Sequence, residues 1–194
     1  MRIARAVYDF VEMVIIAAVI TIVTFMFVGR LTIVDGPSMM NTLIDGEVLA
    51  VSNVGYTPQN GDIVVFQSPN SHVEGAIVKR VIATEGQTVD INFETWEISV
   101  DGEVLSEDYI NDQEKALGYP LNQAGSTRFP FTVSEDCVFV LGDNRNHSSD
   151  SRYYGEFTRD DIMGRVLVRI LPLDAIGTVK PADSDRIAKI KAKN

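Results

Sequence analysis

Residues 13–29 form a 17-residue stretch without a charged side chain, interrupted only by Thr21 and Thr24 and closed by Arg30. At about 1.5 Å of rise per residue, a helix of this length sits at the short end of what crosses a hydrocarbon core of about 30 Å. A secretory signal peptide is the competing reading. Its apolar region usually runs to about 7–15 residues and ends at a small-x-small cleavage site, and neither property fits here. The expected organisation is a cytoplasmic tail over 1–12, a transmembrane anchor over 13–29 and an extracytoplasmic domain over 30–194. Orientation follows from Lys and Arg: Arg2 and Arg5 precede the stretch, whereas residues 31–78 contain neither type, which keeps the tail inside. The expected location is the cytoplasmic membrane, crossed once, with the lipid bilayer as a partner.

At 194 residues the whole chain has room for one domain of ordinary size plus a short appendage. A formal net charge of −10 argues against nucleic acid, whose phosphates call for clustered Lys and Arg. Cys137 is the only cysteine, so no internal disulfide forms, and neither His72 nor His147 stands in a metal-ligand spacing. No metal or organic cofactor is implied.

The segments GEVLAV (46–51), DIVVF (62–66), AIVKRVIA (76–83) and CVFVLG (137–142) read as strands. In WEISVDGEVL (96–105), Asp101-Gly102 between alternating apolar residues predicts a two-residue hairpin of type I′. Residues 106–130 are polar and rich in turn formers, as expected of a surface excursion or a loop between lobes. The basic end, DRIAKIKAKN, reads as a short frayed helix. The fold class is mainly β, with the anchor in front.

Three places carry possible chemistry. Ser38 sits in VDGPSMMNTL (34–43), within about 33 Å of the apolar boundary even on a fully extended chain. Lys79 lies in a strand whose alternation puts Ile77, Lys79 and Val81 on one face and Val78, Arg80 and Ile82 on the other. One of the two cations must then share an apolar face. An edge strand would let both snorkel to water; burial would instead lower the lysine pKa and make it a base. The run GDNRNHSSDSRYYG (142–155) is turn-like in composition, yet Asp143, Arg145, Asp150 and Arg152 are interleaved so as to allow a local ion-pair network that stiffens it. A serine needs a base. His72 and His147 both read as ordinary surface residues, and Cys137 opens an apolar strand as a small hydrophobe, which leaves Ser38 with Lys79.

Four blocks in order, VDGPSMMNTL, GDIVVF, IVKRVIATEG and GDNRNHSSDSRYYG, together resemble the bacterial type I signal peptidases, membrane-anchored Ser/Lys proteases that remove signal peptides. With the anchor the resemblance covers roughly residues 10–170, while 88–136 carries little family signature and reads as a variable β insertion. The chain departs from the pattern at Asn41, Ala83, Glu85 and Gln87, and at Asn146-His147. The resemblance implies an antiparallel β-sheet catalytic domain in which Ser38 attacks the scissile carbonyl. Lys79 would act as general base, and Ser148 would hydrogen-bond the lysine to orient it. Asp150, Arg152 and Asp143 would brace the site, with Arg80 as the partner of Asp143. Gly36, Pro37 and Met39 would lie at the oxyanion or substrate-binding region, where Gly36 lacks the hydroxyl that some members use and leaves more to the Ser38 N–H. The Met39-Met40 pair would exclude water from the base. Partners would be signal-peptide-bearing preproteins cut after small residues, as in Ala-x-Ala. The alternatives are a non-catalytic anchored homologue that binds or assembles substrates, and a related protease that processes itself or a regulator.

Overall fold

The computed structural model describes residues 2–40, 42–67, 75–110 and 127–179, with side chains for 5–21 and for residues from 29 onward within those ranges. Asn41, His72, residues 111–126 of the excursion and the basic C-terminal segment lie outside the described residues. The chain divides into two compact units, 1–30 and 31–194.

The first unit is one helix, α1 (Arg2–Val28), which begins well before the apolar stretch. Its described apolar side chains are exposed, among them Phe10, Ile15, Ile16, Val19 and Ile20. Thr21 satisfies its hydroxyl within the helix by donating to the Ala17 carbonyl at 2.8 Å. Among the described residues, no helix is long and apolar enough to cross a membrane. The expected span 13–29 runs on through 22–28, whose side chains are outside the described set.

The second unit is mainly β. The strands are β1 (Arg30–Ile33), β2 (Val48–Ser52), β3 (Ile63–Phe66), β4 (Ile77–Thr84), β5 (Thr88–Ile91), β6 (Ile98–Val100), β7 (Glu103–Val104), β8 (Phe131–Thr132), β9 (Cys137–Leu141), β10 (Phe157–Thr158) and β11 (Ile162–Leu171). They build a seven-stranded sheet in the order β1-β2-β11-β3-β4-β9-β10 and a four-stranded sheet in the order β7-β6-β5-β8. Every pairing with a described register is antiparallel.

The unbroken apolar run of β3 has a simple cause. Ile63 and Val65 enter a core with Met39, Leu43, Leu49 and Val78, while Val64 and Phe66 enter another with Val81, Val138 and Phe157. Both faces are covered, so neither needs polar side chains. The smaller sheet packs Val89, Ile91, Ile98 and Val100 against Ile82, Phe139 and Leu141 of the larger one.

The four expected strands are present, and so is the hairpin: Ser99 pairs with Val104 and Val100 with Glu103, with Asp101 at φ 53° and Gly102 at φ 83° as a type I′ turn requires. Its first strand is shorter than expected, because Trp96 takes a left-handed conformation (φ 64°) and pairing starts at Ile98. The longest strand, β11, was not among those expected. It lies between β2 and β3, and its Gly164 marks a close backbone approach: a Cβ there would stand 2.8 Å from the Ser52 carbonyl.

Candidate active site

Ser38 stands in a tight turn just after β1. The Met40 N–H donates to the Pro37 carbonyl at 3.0 Å, and the N–H groups of Thr42 and Leu43 donate to the Met39 carbonyl at 2.8 and 2.7 Å. Met39 and Leu43 plug the turn into the core below, at 1% and 0% exposure. Met40 points to the surface, so only the first methionine of the expected pair shields the site. Gly36 enters the turn at φ +83°, a conformation that favours glycine, and its N–H donates to Asp45 Oδ1 at 2.8 Å. Asn144 holds the turn from the far side: its N–H donates to the Ser38 carbonyl at 2.9 Å and its Nδ2 to the Pro37 carbonyl at 3.0 Å. The Ser38 N–H has no acceptor among the described residues.

Lys79 comes to this serine from β4. The strand lies between β3 and β9, not at an edge, so snorkelling is closed to both cations, and Lys79 and Arg80 are 3% and 5% exposed. Lys79 Nζ lies 2.8 Å from Ser38 Oγ and 3.1 Å from the Val78 carbonyl. Burial pushes the lysine pKa down to about 8; the carboxylates of Asp150 and Asp143 pull it up and the Arg152 guanidinium opposes them.

The run 142–155 is a braced loop. Asp150, fully buried, accepts from the Gly142 N–H at 3.0 Å, from Ser148 Oγ at 2.8 Å and from Arg152 Nε at 2.8 Å. Burial alone would raise its pKa, but Arg152 together with the Gly142 and Ser148 donors holds the carboxyl below its usual range. Arg152 also donates to the Arg145 carbonyl at 2.7 Å and the Ser148 carbonyl at 3.2 Å. Gly142 leaves no room for a side chain, since a Cβ there would stand 2.6 Å from both the Ser38 carbonyl oxygen and Ser148 Cβ.

Two expectations about this loop need correction. Its four charges do not form one local network: Asp150 and Arg152 pair with each other, but Asp143 is taken by Arg80, through Nε at 2.8 Å and Nη2 at 2.6 Å, and Arg145 by Glu107. Arg80 of β4 and Arg145 of the loop find their carboxylates far along the chain, a requirement stronger than local proximity. Ser148 does not hydrogen-bond Lys79 either. Its hydroxyl donates to Asp150 Oδ2 at 2.8 Å, while Lys79 Nζ donates to Ser38 Oγ and to the Val78 carbonyl.

Several residues went unassigned on sequence grounds. Thr42 donates its hydroxyl to Asp143 Oδ2, and Asn144 clamps the serine turn. Glu107 pairs with Arg145, and Tyr109 lays its ring 4.0 Å from the Arg80 guanidinium carbon. Thr42 and Asn144 sit inside the quoted blocks, so their proximity was available; Glu107 and Tyr109 sit in the polar excursion, which offered no periodic signal. Of the residues read as ordinary, His147 is exposed with Nδ1 3.2 Å from Asn144 Oδ1. Cys137 is half-buried against the core between the sheets, and burial raises its thiol pKa.

This geometry, a serine hydroxyl against a buried lysine with a rigid polar loop behind them, defines a class of Ser/Lys site. Residues 7–171 match the family described as "Signal peptidase, peptidase S26", and the chain belongs to that family. It is 35% identical over 176 residues to a probable signal peptidase I-1 of Synechocystis sp., covering 86% of this chain and 84% of that one. It is 34% identical over 179 residues to signal peptidase I P of Bacillus subtilis subsp. natto, covering 90% and 94%. A crystal structure of a signal peptidase I from Enterococcus faecalis is 32% identical, with a TM-score of 0.46, covering 57% of this chain and 97% of that one.

Proposed function

We propose that the chain is a type I signal peptidase, a serine endopeptidase that removes signal peptides from preproteins, with Ser38 as nucleophile and Lys79 as general base. The observation that carries this reading is the 2.8 Å separation of Lys79 Nζ from Ser38 Oγ in a site where the lysine is 3% exposed. A pKa near 8 leaves about a tenth of the lysine neutral at pH 7, enough for proton transfer to compete.

The neutral amine takes the Oγ proton as Oγ attacks the scissile carbonyl. The Ser38 N–H, without another acceptor among the described residues, is the donor available to the oxyanion. Gly36 brings no hydroxyl, and its N–H is already bound to Asp45. The Lys79 ammonium then protonates the leaving amine, and the regained amine activates water against the acyl-enzyme ester. Asp150 and Arg152 hold Ser148 and the loop beside the lysine, while Asp143 and Arg80 tie β4 to the serine turn.

The exposed apolar side chains of α1 support an N-terminal membrane anchor, because a helix apolar on all sides needs lipid or protein around it. With Arg2 and Arg5 inside, the catalytic unit lies outside, where the chain between anchor and Ser38 keeps the nucleophile close to a membrane-held signal peptide.

The test is cleavage of a preprotein with an Ala-x-Ala site by the detergent-solubilised protein, beside Ser38→Ala and Lys79→Ala, from about pH 6 to about pH 10. Wild type should cut after the small residue and both variants should lose at least about 10³-fold in kcat. The protonated lysine accepts nothing, so kcat/KM should fall about tenfold per pH unit below its pKa and level off above it. Cleavage by either folded variant at the wild-type rate rules the dyad out.

A further inference from the structure

The segment that leaves the smaller sheet, residues 105–110, delivers two side chains to the two buried guanidiniums of the site. Glu107, 8% exposed, accepts from Arg145 Nη2 through Oε1 and from Nη1 through Oε2 at 3.2 Å. Tyr109 donates its hydroxyl to Glu107 Oε1 at 2.9 Å, and its ring lies 4.0 Å from the Arg80 guanidinium carbon and 6.0 Å from that of Arg145. Nothing in this segment reaches Ser38 or Lys79 directly.

Its action runs through one peptide unit. Arg145, 2% exposed, donates Nε to the Gly142 carbonyl at 3.0 Å. The same peptide unit presents the Asp143 N–H to Met39 Sδ at 3.4 Å, one residue from the serine. Because a peptide is planar, fixing its oxygen fixes its N–H, and with them the point where Ser38 and Ser148 crowd Gly142. A buried guanidinium keeps such an orientation only while its charge is matched. Glu107 supplies the match with a two-pronged carboxylate, the arrangement that best locks a guanidinium plane.

Resting on the peptidase reading above, we propose that Glu107 is a positioning residue for catalysis: through Arg145 it sets the plane of the Gly142–Asp143 peptide and so the register of the closing loop against the serine turn. Residues 105–110 are thereby part of the catalytic unit. A displacement of about 1 Å at reacting groups costs on the order of 10²-fold in rate, so the effect appears in kcat and leaves substrate binding alone.

The experiment measures kcat and KM on the same Ala-x-Ala preprotein with the full detergent-solubilised chain, for Glu107→Gln and for the double variant Glu107→Met/Arg145→Met, each well below its own melting point. The double variant replaces the buried pair with apolar groups, an exchange folds commonly tolerate, while still leaving the Gly142 carbonyl without its donor. Both variants should lose at least about tenfold in kcat with KM within about twofold. Wild-type kcat in either folded variant, or a loss confined to KM, overturns the proposal. Ser38→Ala is the control that separates the two failures: an active Ser38→Ala sinks the peptidase reading, whereas an inert Ser38→Ala beside a fully active Glu107→Gln sinks only the role of Glu107.

Discussion

The hairpin Ile98–Val104 and the closing loop 142–155 are both written in turn residues, yet they are held in opposite ways. The hairpin is set by its own two central residues, whose positive φ angles match the twist of the flanking strands. The closing loop is set from outside, by Arg80 of β4, by Glu107 of the excursion and by the Ser38 turn, which meet Asp143, Arg145 and Asn144 respectively. Turn chemistry alone fixes a connection; a loop that lines the candidate site is held by buried charges whose partners come from elsewhere.

The sharpest break of that contrast is Asp143→Ala. It leaves the Arg80 guanidinium buried without its carboxylate, and removing one member of a buried pair costs about 3–5 kcal/mol. For a chain of this size the melting temperature should fall by on the order of 10 °C in a thermal scan, and cleavage should fall with it even where the protein stays folded. A variant with unchanged melting temperature would show the pair to be dispensable and the loop to be as self-sufficient as the hairpin.

The same contrast explains what was legible in the sequence. The Asp101-Gly102 hairpin, the strands at 48–52, 63–66, 77–84 and 137–141, and the pairing of Ser38 with Lys79 all rest on patterns contained within a few residues or within recognisable blocks. Arg145 meeting Glu107 does not, because which carboxylate reaches a buried guanidinium depends on how the two sheets stack. Ser148 donating to Asp150 while Lys79 donates to Ser38 and Val78 is of the same kind, because which group the lysine meets depends on how the loop packs on β4. β11 is a different case. Leu167 between Val166 and Val168 breaks the alternation set by Arg165 and Arg169, and the register shifts between Val166 and Val168 and between Arg169 and Leu171, so no clean period of two marked the strand.

Gly142→Ala probes the loop without touching a charge. Its Cβ would press on the Ser38 carbonyl and on Ser148, and the backbone must shift by several tenths of an ångström in the direction of Ser38. The expected result is a kcat reduced by on the order of 10²-fold with a smaller change in melting temperature than Asp143→Ala produces. If stability falls as far and kcat of the folded enzyme is preserved, Gly142 is a packing residue only.

The smallest effect belongs to the hairpin, and it sets the other limit of the comparison. Gly102→Ala forces a side chain into φ 83° with no neighbour within 4 Å to clash, so the cost is the left-handed conformation alone, roughly 1–2 kcal/mol. Asp101→Ala removes more than a turn former: its carboxylate also accepts from the Thr88 N–H at 2.8 Å and from Gln87 Nε2 at 3.3 Å, tying the turn to the start of β5. That side is exposed, so water replaces the lost acceptor and the loss should stay near about 1 kcal/mol. Neither change should alter kcat of the folded enzyme, since the contact from this sheet to the closing loop passes through Glu107 and not through the turn. A kcat deficit in Gly102→Ala, measured well below its melting point, would mean that the hairpin steers residues 105–110 and that the locally determined region is part of the site after all.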